Sequence, residues 1–281
     1  MLRNAKTLEG FDILATDGPI GPVKDFYFDD DAWVVRYLVV ETGSWLDSRK
    51  VLISPIAVHD SNLGNRTFSV SVSKQQVKDS PSFDSDKPVT RDGEARYAGY
   101  YGYLPYWAGS GLWGAGLYPF ALFPGDAGAA PGREQAVGAA RTGVGLEEEA
   151  QLQAERERHR NPDPHLRSCS AVKGYKLRAT DGQIGTVASY LVDDQTWAIA
   201  YLVVETGHWW NGHQVLLAPQ WIFGVDWSDE AISVGLSLAD VKGAPAYEPD
   251  MPWSRMLDTS RYQHYGRTGY WSGAPGRAIE R

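Results

Sequence analysis

The heptapeptide YLVVETG stands at residues 37–43 and again at 201–207, an offset of 201 − 37 = 164 residues. At that offset far more of the chain aligns. Thr16-Asp17-Gly18 meets Thr180-Asp181-Gly182, Ile20-Gly21 meets Ile184-Gly185, Trp33 meets Trp197, and Val51-Leu52 meets Val215-Leu216. The register holds without a gap from residue 2 to residue 107, where Tyr106-Trp107 meets Tyr270-Trp271. Solenoid units repeat every ~20–50 residues. A longer, ungapped repeat predicts a duplicated domain, each copy large enough for its own core.

Each copy carries the pattern of a small all-β unit. A run around Ile13–Ala15 ends in Asp17-Gly18, a hairpin signal. Val23–Phe28 places Phe26 and Phe28 on one face, where the second copy has Tyr190 and Val192. Trp33–Val40 is apolar on both faces apart from Arg36, which predicts a doubly covered central strand in a closed or nearly closed barrel. Val51–Ile53 and Thr67–Val72 bring the strands to five, and SKQQVKDSP reads as a short helix capped by Ser73 and ended by Pro81. The expected layout is therefore two tandem small β-barrels with aromatic tails. Residues 1–107 and 166–271 form the two domains, 108–165 a Gly/Ala/Pro-rich linker, and 272–281 a flexible C-terminus. The linker is expected to be partly disordered, with a short helix near 146–160 where LEEE leads and three arginines follow.

Charge limits the partners. The chain has 27 basic and 35 acidic residues and no basic block, which disfavours direct nucleic-acid binding. Cys169 is the one cysteine, so no intrachain disulfide can form. The N-terminus has no apolar stretch of the secretory kind. Residues 97–125 carry no charge. Their prolines, glycines and tyrosines argue against a membrane span, leaving packing on the barrels or peripheral membrane contact.

The string DGPIGPVKDFYFDDDAWVVRYLVVETGSWLDSRKVLISP resembles the PRC-barrel family, named for the cytoplasmic domain of the photosynthetic reaction-centre H subunit. That domain also occurs in a small-subunit ribosome maturation factor. The tails resemble the extensions of bacterial proteins with two such domains. The resemblance implies the barrel fold and a non-enzymatic, cytoplasmic docking or scaffolding role. The alternatives it carries are a peripheral part of a membrane redox complex and a ribosome-maturation-type factor.

No nucleophile elbow, phosphate loop or metal signature is present, so no catalytic residue, cofactor or metal is expected. The acids at Asp29-Asp30-Asp31 are adjacent, unlike the alternate spacing of calcium loops, and read as turn residues. His208 and His213 share a loop without a third ligand. Glu41 and Glu205, after the apolar strands, are buried or strand-end carboxylates. The copies differ most in the next loop, where SWLDSRK becomes HWWNGHQ. Loops on rigid scaffolds carry specificity, so Trp45, Arg49, Lys50, Trp209, Trp210 and His213 are the expected partner-binding residues. Tyr101, Tyr106 and Trp107, with Tyr265, Tyr270 and Trp271, are expected to clasp the copies into an intramolecular pseudo-dimer.

Overall fold

The computed structural model describes residues 1–83, 89–114, 116–119, 165–207, 212–249 and 255–267, the side chains of 255–258 excepted. In chain order β1 (Leu2–Asn4) and α1 (Ala5–Leu8) come first. β2 (Asp12–Ala15), β3 (Gly18–Asp29), β4 (Val34–Glu41), β5 (Lys50–Ile53), β6 (Val58–Asn62) and β7 (Thr67–Val70) follow, then α2 (Lys74–Asp79) and α3 (Arg91–Tyr101). The second copy begins with β8 (Leu166–Ser168), α4 (Cys169–Val172), β9 (Lys176–Arg178), β10 (Gln183–Asp193) and β11 (Ile199–Thr206). It continues with β12 (Gln214–Leu217), β13 (Ile222–Asp226), β14 (Ala231–Val234), α5 (Leu238–Lys242) and α6 (Arg255–His264).

The chain divides into two compact units, Gly10–Arg167 on one hand and Met1–Glu9 with Ser168–Arg281 on the other. In the first unit the strand order is β5-β4-β3-β2-β7-β6, with β2 and β7 parallel and β8 on β3. In the second it is β12-β11-β10-β9-β14-β13, with β9 and β14 parallel and β1 on β10. Leu2, Arg3 and Asn4 face Asp193, Val192 and Leu191. Each copy's leading strand thus completes the sheet built mainly from the other copy. Pairing of Arg3 with Asp194 at 3.0 Å is matched, 164 positions apart, by Arg167 with Asp30 at 2.8 Å.

Among the described residues each sheet has seven strands and an open path, where a closed or nearly closed five-stranded barrel was expected. The exchanged strand adds one. The other is β6, whose residues from His59 to Asn62 are all exposed, so no apolar alternation advertised it. Closure would need a ladder between β5 and β6. At Leu52 and Ser54, its C-terminal part, the outer edge of β5 is instead taken by a side chain: the Tyr97 hydroxyl donates to the Leu52 carbonyl and accepts from Ser54 N–H, both at 3.1 Å.

The core follows the apolar runs. Val34 through Val40 of β4 are buried, Arg36 among them. At the hairpin Asp29 Oδ1 accepts from the Asp31 and Ala32 amides, as Asp193 Oδ1 does from Gln195 and Thr196. These turns force Trp33 and Trp197 to φ of 54° and 60°, a region large side chains avoid. Burial of both indoles offsets that strain. Gly21 and Gly185 allow β3 and β10 to run close under the next strand: a Cβ would lie 2.0 Å and 1.9 Å from the carbonyls of Glu41 and Glu205. The short helix α2 has the expected Ser73 cap, completed as a capping box by Gln76. The tail after it, read from sequence only as aromatic, contains α3, capped by Thr90 and ended at Gly102 with φ 70°.

Candidate docking site

Thr42, fully buried, fastens the loop after β4 by donating to the carbonyls of Leu46 and Arg49, and Thr206 does the same to His213. The Thr of YLVVETG is therefore a loop anchor. Beyond it Arg49 donates through Nη2 to the Val77 and Lys78 carbonyls at the end of α2, at 3.0 and 2.8 Å. A guanidinium suits that position because the last helical carbonyls lack partners. Lys50 is exposed. Arg49, Lys50 and Val51 form one wall of a groove of about 470 Å³, and Ser80, Pro81, Ser82 and Phe83 the other. Phe83 is held by an edge contact to Tyr27, centroids 5.5 Å apart. Ligand clefts span ~300–1,000 Å³.

In the second copy the positions of Arg49, Lys50, Ser80, Ser82 and Phe83 are His213, Gln214, Ala244, Ala246 and Tyr247. There Tyr247 N–H donates to the Gln214 carbonyl at 2.7 Å, so the chain after α5 lies along the outer edge of β12. The two copies therefore differ in charge, hydroxyl groups and strand-edge pairing at one equivalent place.

The other predicted residues fall elsewhere. Trp45 lies over its own sheet, its indole N–H donating to the Ile20 carbonyl at 2.8 Å and Lys74 Nζ 4.5 Å from its ring. Glu41 is 41% exposed and pairs with Lys24 at 2.9 Å, and Glu205 is exposed, so both are strand-end rather than buried carboxylates. His213 is exposed. Trp209, Trp210, His208, Tyr270 and Trp271 lie outside the described residues, as do the expected helix near 146–160 and the C-terminus 272–281. The aromatic tails make contacts within their own units. Tyr101 packs on Tyr97 and Tyr103, Tyr106 on Trp107 and Trp113, and Tyr265 on Trp221.

Sequence reading missed a buried polar cluster behind the tail of the first copy. Arg36 Nη2 donates to Asp29 at 3.0 Å and Nη1 to the Leu112 carbonyl at 2.5 Å. Its guanidinium lies 3.8 Å from the ring centroid of Tyr106 and 4.8 Å from that of Trp113. The Tyr106 hydroxyl donates to Glu94 at 2.6 Å and accepts from Arg91 at 2.8 Å, and Arg91 also reaches Glu94 at 3.2 Å. Glu94 is 2% exposed, and burial pushes its pKa up to about 7 against the lowering effect of Arg91. The adjoining cavity, lined by Tyr37, Tyr97 and Tyr103 among others, measures about 10 Å³, room for about one water. The signal in the sequence was Arg36 alone, a charge inside an apolar run, and the second copy has Ala200 there.

Asp30, Asp31 and His165 bring one ligand atom each within 4.8 Å of one another. His165 Nδ1 is 3.7 Å from Asp30 and 3.4 Å from Asp31, and Arg167 occupies the other Asp30 oxygen. Burial raises the Asp30 pKa, with Arg167 opposing it. The equivalent Asp194 also receives an arginine, and Gln195 replaces Asp31. The shared function of these turns is to receive the cationic leading strand.

Residues 2–77 match the family model of the PRC-barrel domain. No curated protein matches the chain. The PRC-barrel match starts in β1 and ends inside α2, so it takes in the strand exchanged to the other sheet and both cationic residues of the groove. No helix among the described residues is long and apolar enough to cross a membrane.

Proposed function

We propose that the chain is a non-enzymatic docking module of the bacterial cytoplasm, with two PRC-barrel-type units, that holds a protein partner at the groove beside Arg49 and Lys50. The observation carrying this reading is the groove itself: it holds Arg49 and Lys50 in the first copy, where the equivalent positions of the second carry His213 and Gln214, with alanines in place of Ser80 and Ser82 and a Tyr247 N–H on the Gln214 carbonyl. A duplicated scaffold that diverges at one surface is what division of labour between copies produces, since loops change while the core is held by packing. The PRC-barrel match supports a non-catalytic role. The test is a photo-crosslinking amino acid placed at Ser82 and, in parallel, at Ala246. A discrete adduct from Ser82 in cells and none from Ala246 supports the reading, and adducts from neither site overturn it.

Exposed Leu104, Leu117 and Tyr118, within the uncharged 97–125 stretch, favour a second reading as a membrane-peripheral component, in line with the reaction-centre H-like alternative. Flotation with anionic liposomes separates the two. Binding lost on Leu104→Ser with Leu117→Ser supports membrane contact, and no flotation rejects it.

A further inference from the structure

We propose that the groove of the first copy takes an extended acidic peptide segment, which adds as a strand at the outer edge of β5 and sets its carboxylates against Arg49 and Lys50. This rests on the docking reading above and names the chemistry of the partner.

Ladder geometry identifies the open edge. Thr42 N–H donates to the Arg49 carbonyl at 2.9 Å, so 42/49 is a bonded pair, and alternation along the β4–β5 register makes 40/51 and 38/53 bonded pairs too. Lys50 and Leu52 then direct their N–H and C=O groups out of the sheet. Tyr97 takes the Leu52 carbonyl. The Lys50 carbonyl has no backbone partner of that kind among the described residues. Its equivalent in the second copy, the Gln214 carbonyl, accepts from Tyr247 N–H. One sheet thus displays, within the same molecule, how an extended chain seats on this edge, and the other sheet holds the seat without that bond. Unpaired strand edges recruit strands, which is the basis of β-augmentation.

Charge selects the occupant. Lys50 faces Glu41 across the strand pair, but Glu41 is held by Lys24 at 2.9 Å, and no ion pair to Lys50 occurs among the described residues. Ser82 adds a hydroxyl where the second copy has Ala246, while the Ser80 hydroxyl donates to the Val77 carbonyl at 2.8 Å. Pro81 and Phe83 supply apolar surface, so a segment alternating acidic and aliphatic residues matches the walls. On a chain that carries a net charge of −8, a groove with two cations is a place where an acidic segment is attracted instead of repelled.

The experiment uses the full chain and a fluorescein-labelled, N-acetylated Glu-Val-Asp-Val-Glu-Val amide, read by fluorescence anisotropy. The Gln/Asn analogue of the same peptide serves as comparison. The acidic peptide is expected to bind saturably, at least about tenfold tighter than the neutral analogue, and more weakly as salt is raised. Lys50→Gln removes the charge and should reduce the preference for acid to within about threefold while leaving weak binding of both peptides. Lys50→Pro removes an outward N–H that the β4–β5 ladder does not use, so the fold survives and binding of both peptides is lost. Absence of saturable binding, equal binding of the two peptides, or indifference to both variants overturns the proposal. A crosslinked partner at Ser82 without acidic-peptide binding overturns this inference alone; no adduct at Ser82 overturns the docking reading beneath it.

Discussion

Glu94 is a carboxylate whose environment works against its charge. Its pKa lies at about 7 in the folded protein against an ordinary 4.5, because burial outweighs the nearby arginines. The folded state therefore holds a proton that the unfolded state has lost between those values. The associated stabilisation is complete below about pH 4.5 and is lost as pH rises through about 7. Glu94→Gln should remove this dependence. Thermal melts on both sides of that window should show the wild type losing on the order of a few kcal/mol relative to the variant toward alkaline pH. A wild type and variant with parallel pH profiles would place the titration elsewhere. Gly21 is constrained by space as well as by its φ of 149°. Gly21→Ala drives a methyl into the Glu41 carbonyl and should cost more than about 3 kcal/mol in denaturant unfolding. Gly99→Ala, with nothing within 4 Å, is the matched control and should cost little.

At the scale of elements, the leading strands are the least expected feature. β1 belongs in sequence to the first copy and in space to the sheet of β10. Its contributions there are the ladder to Leu191–Asp193, the Arg3–Asp194 pair and the Asn4–Ser189 hydrogen bond at 2.6 Å. Deleting residues 1–4 should therefore loosen the unit of Ser168–Arg281 and not that of Gly10–Arg167. Hydrogen exchange should quicken at Tyr190–Asp193 and stay unchanged at Phe26–Asp29. The opposite pattern would mean that β1 serves its own copy. Arg167→Ala makes the mirrored test, acting on Phe26–Asp29 through the loss of its bond to Asp30.

At the scale of the whole molecule, the exchanged strands govern how the chain can be divided. A cut within 125–146 leaves one fragment carrying β1, which completes the sheet of β10, and the other carrying β8, which completes the sheet of β3. The two fragments, co-expressed, should purify together on a tag placed on either one. Removing residues 1–9 from the first fragment should weaken that association. Fragments that are folded and never co-purify would show each copy to be self-sufficient. The sequence by itself determined the internal repeat at an offset of 164 residues, the strand-rich character, the Asp-led turns and the capped α2. All of these are encoded within a few residues, by period-two patterning and turn chemistry. It also marked the loop where the two repeats differ. The tertiary structure alone decided the rest. Both leading strands begin with Leu-Arg, so nothing local says which sheet each will join; that depends on which edge the chain can reach. Arg36 finds Asp29, Tyr106, the Leu112 carbonyl and Trp113 across up to 77 positions because a charge in the core must collect partners from wherever packing brings them. The first unit's sheet stays open because the Tyr97 hydroxyl takes the edge of β5 at Leu52 and β6 presents exposed polar residues from His59 to Asn62, a balance of edge pairing that no single stretch of sequence displays.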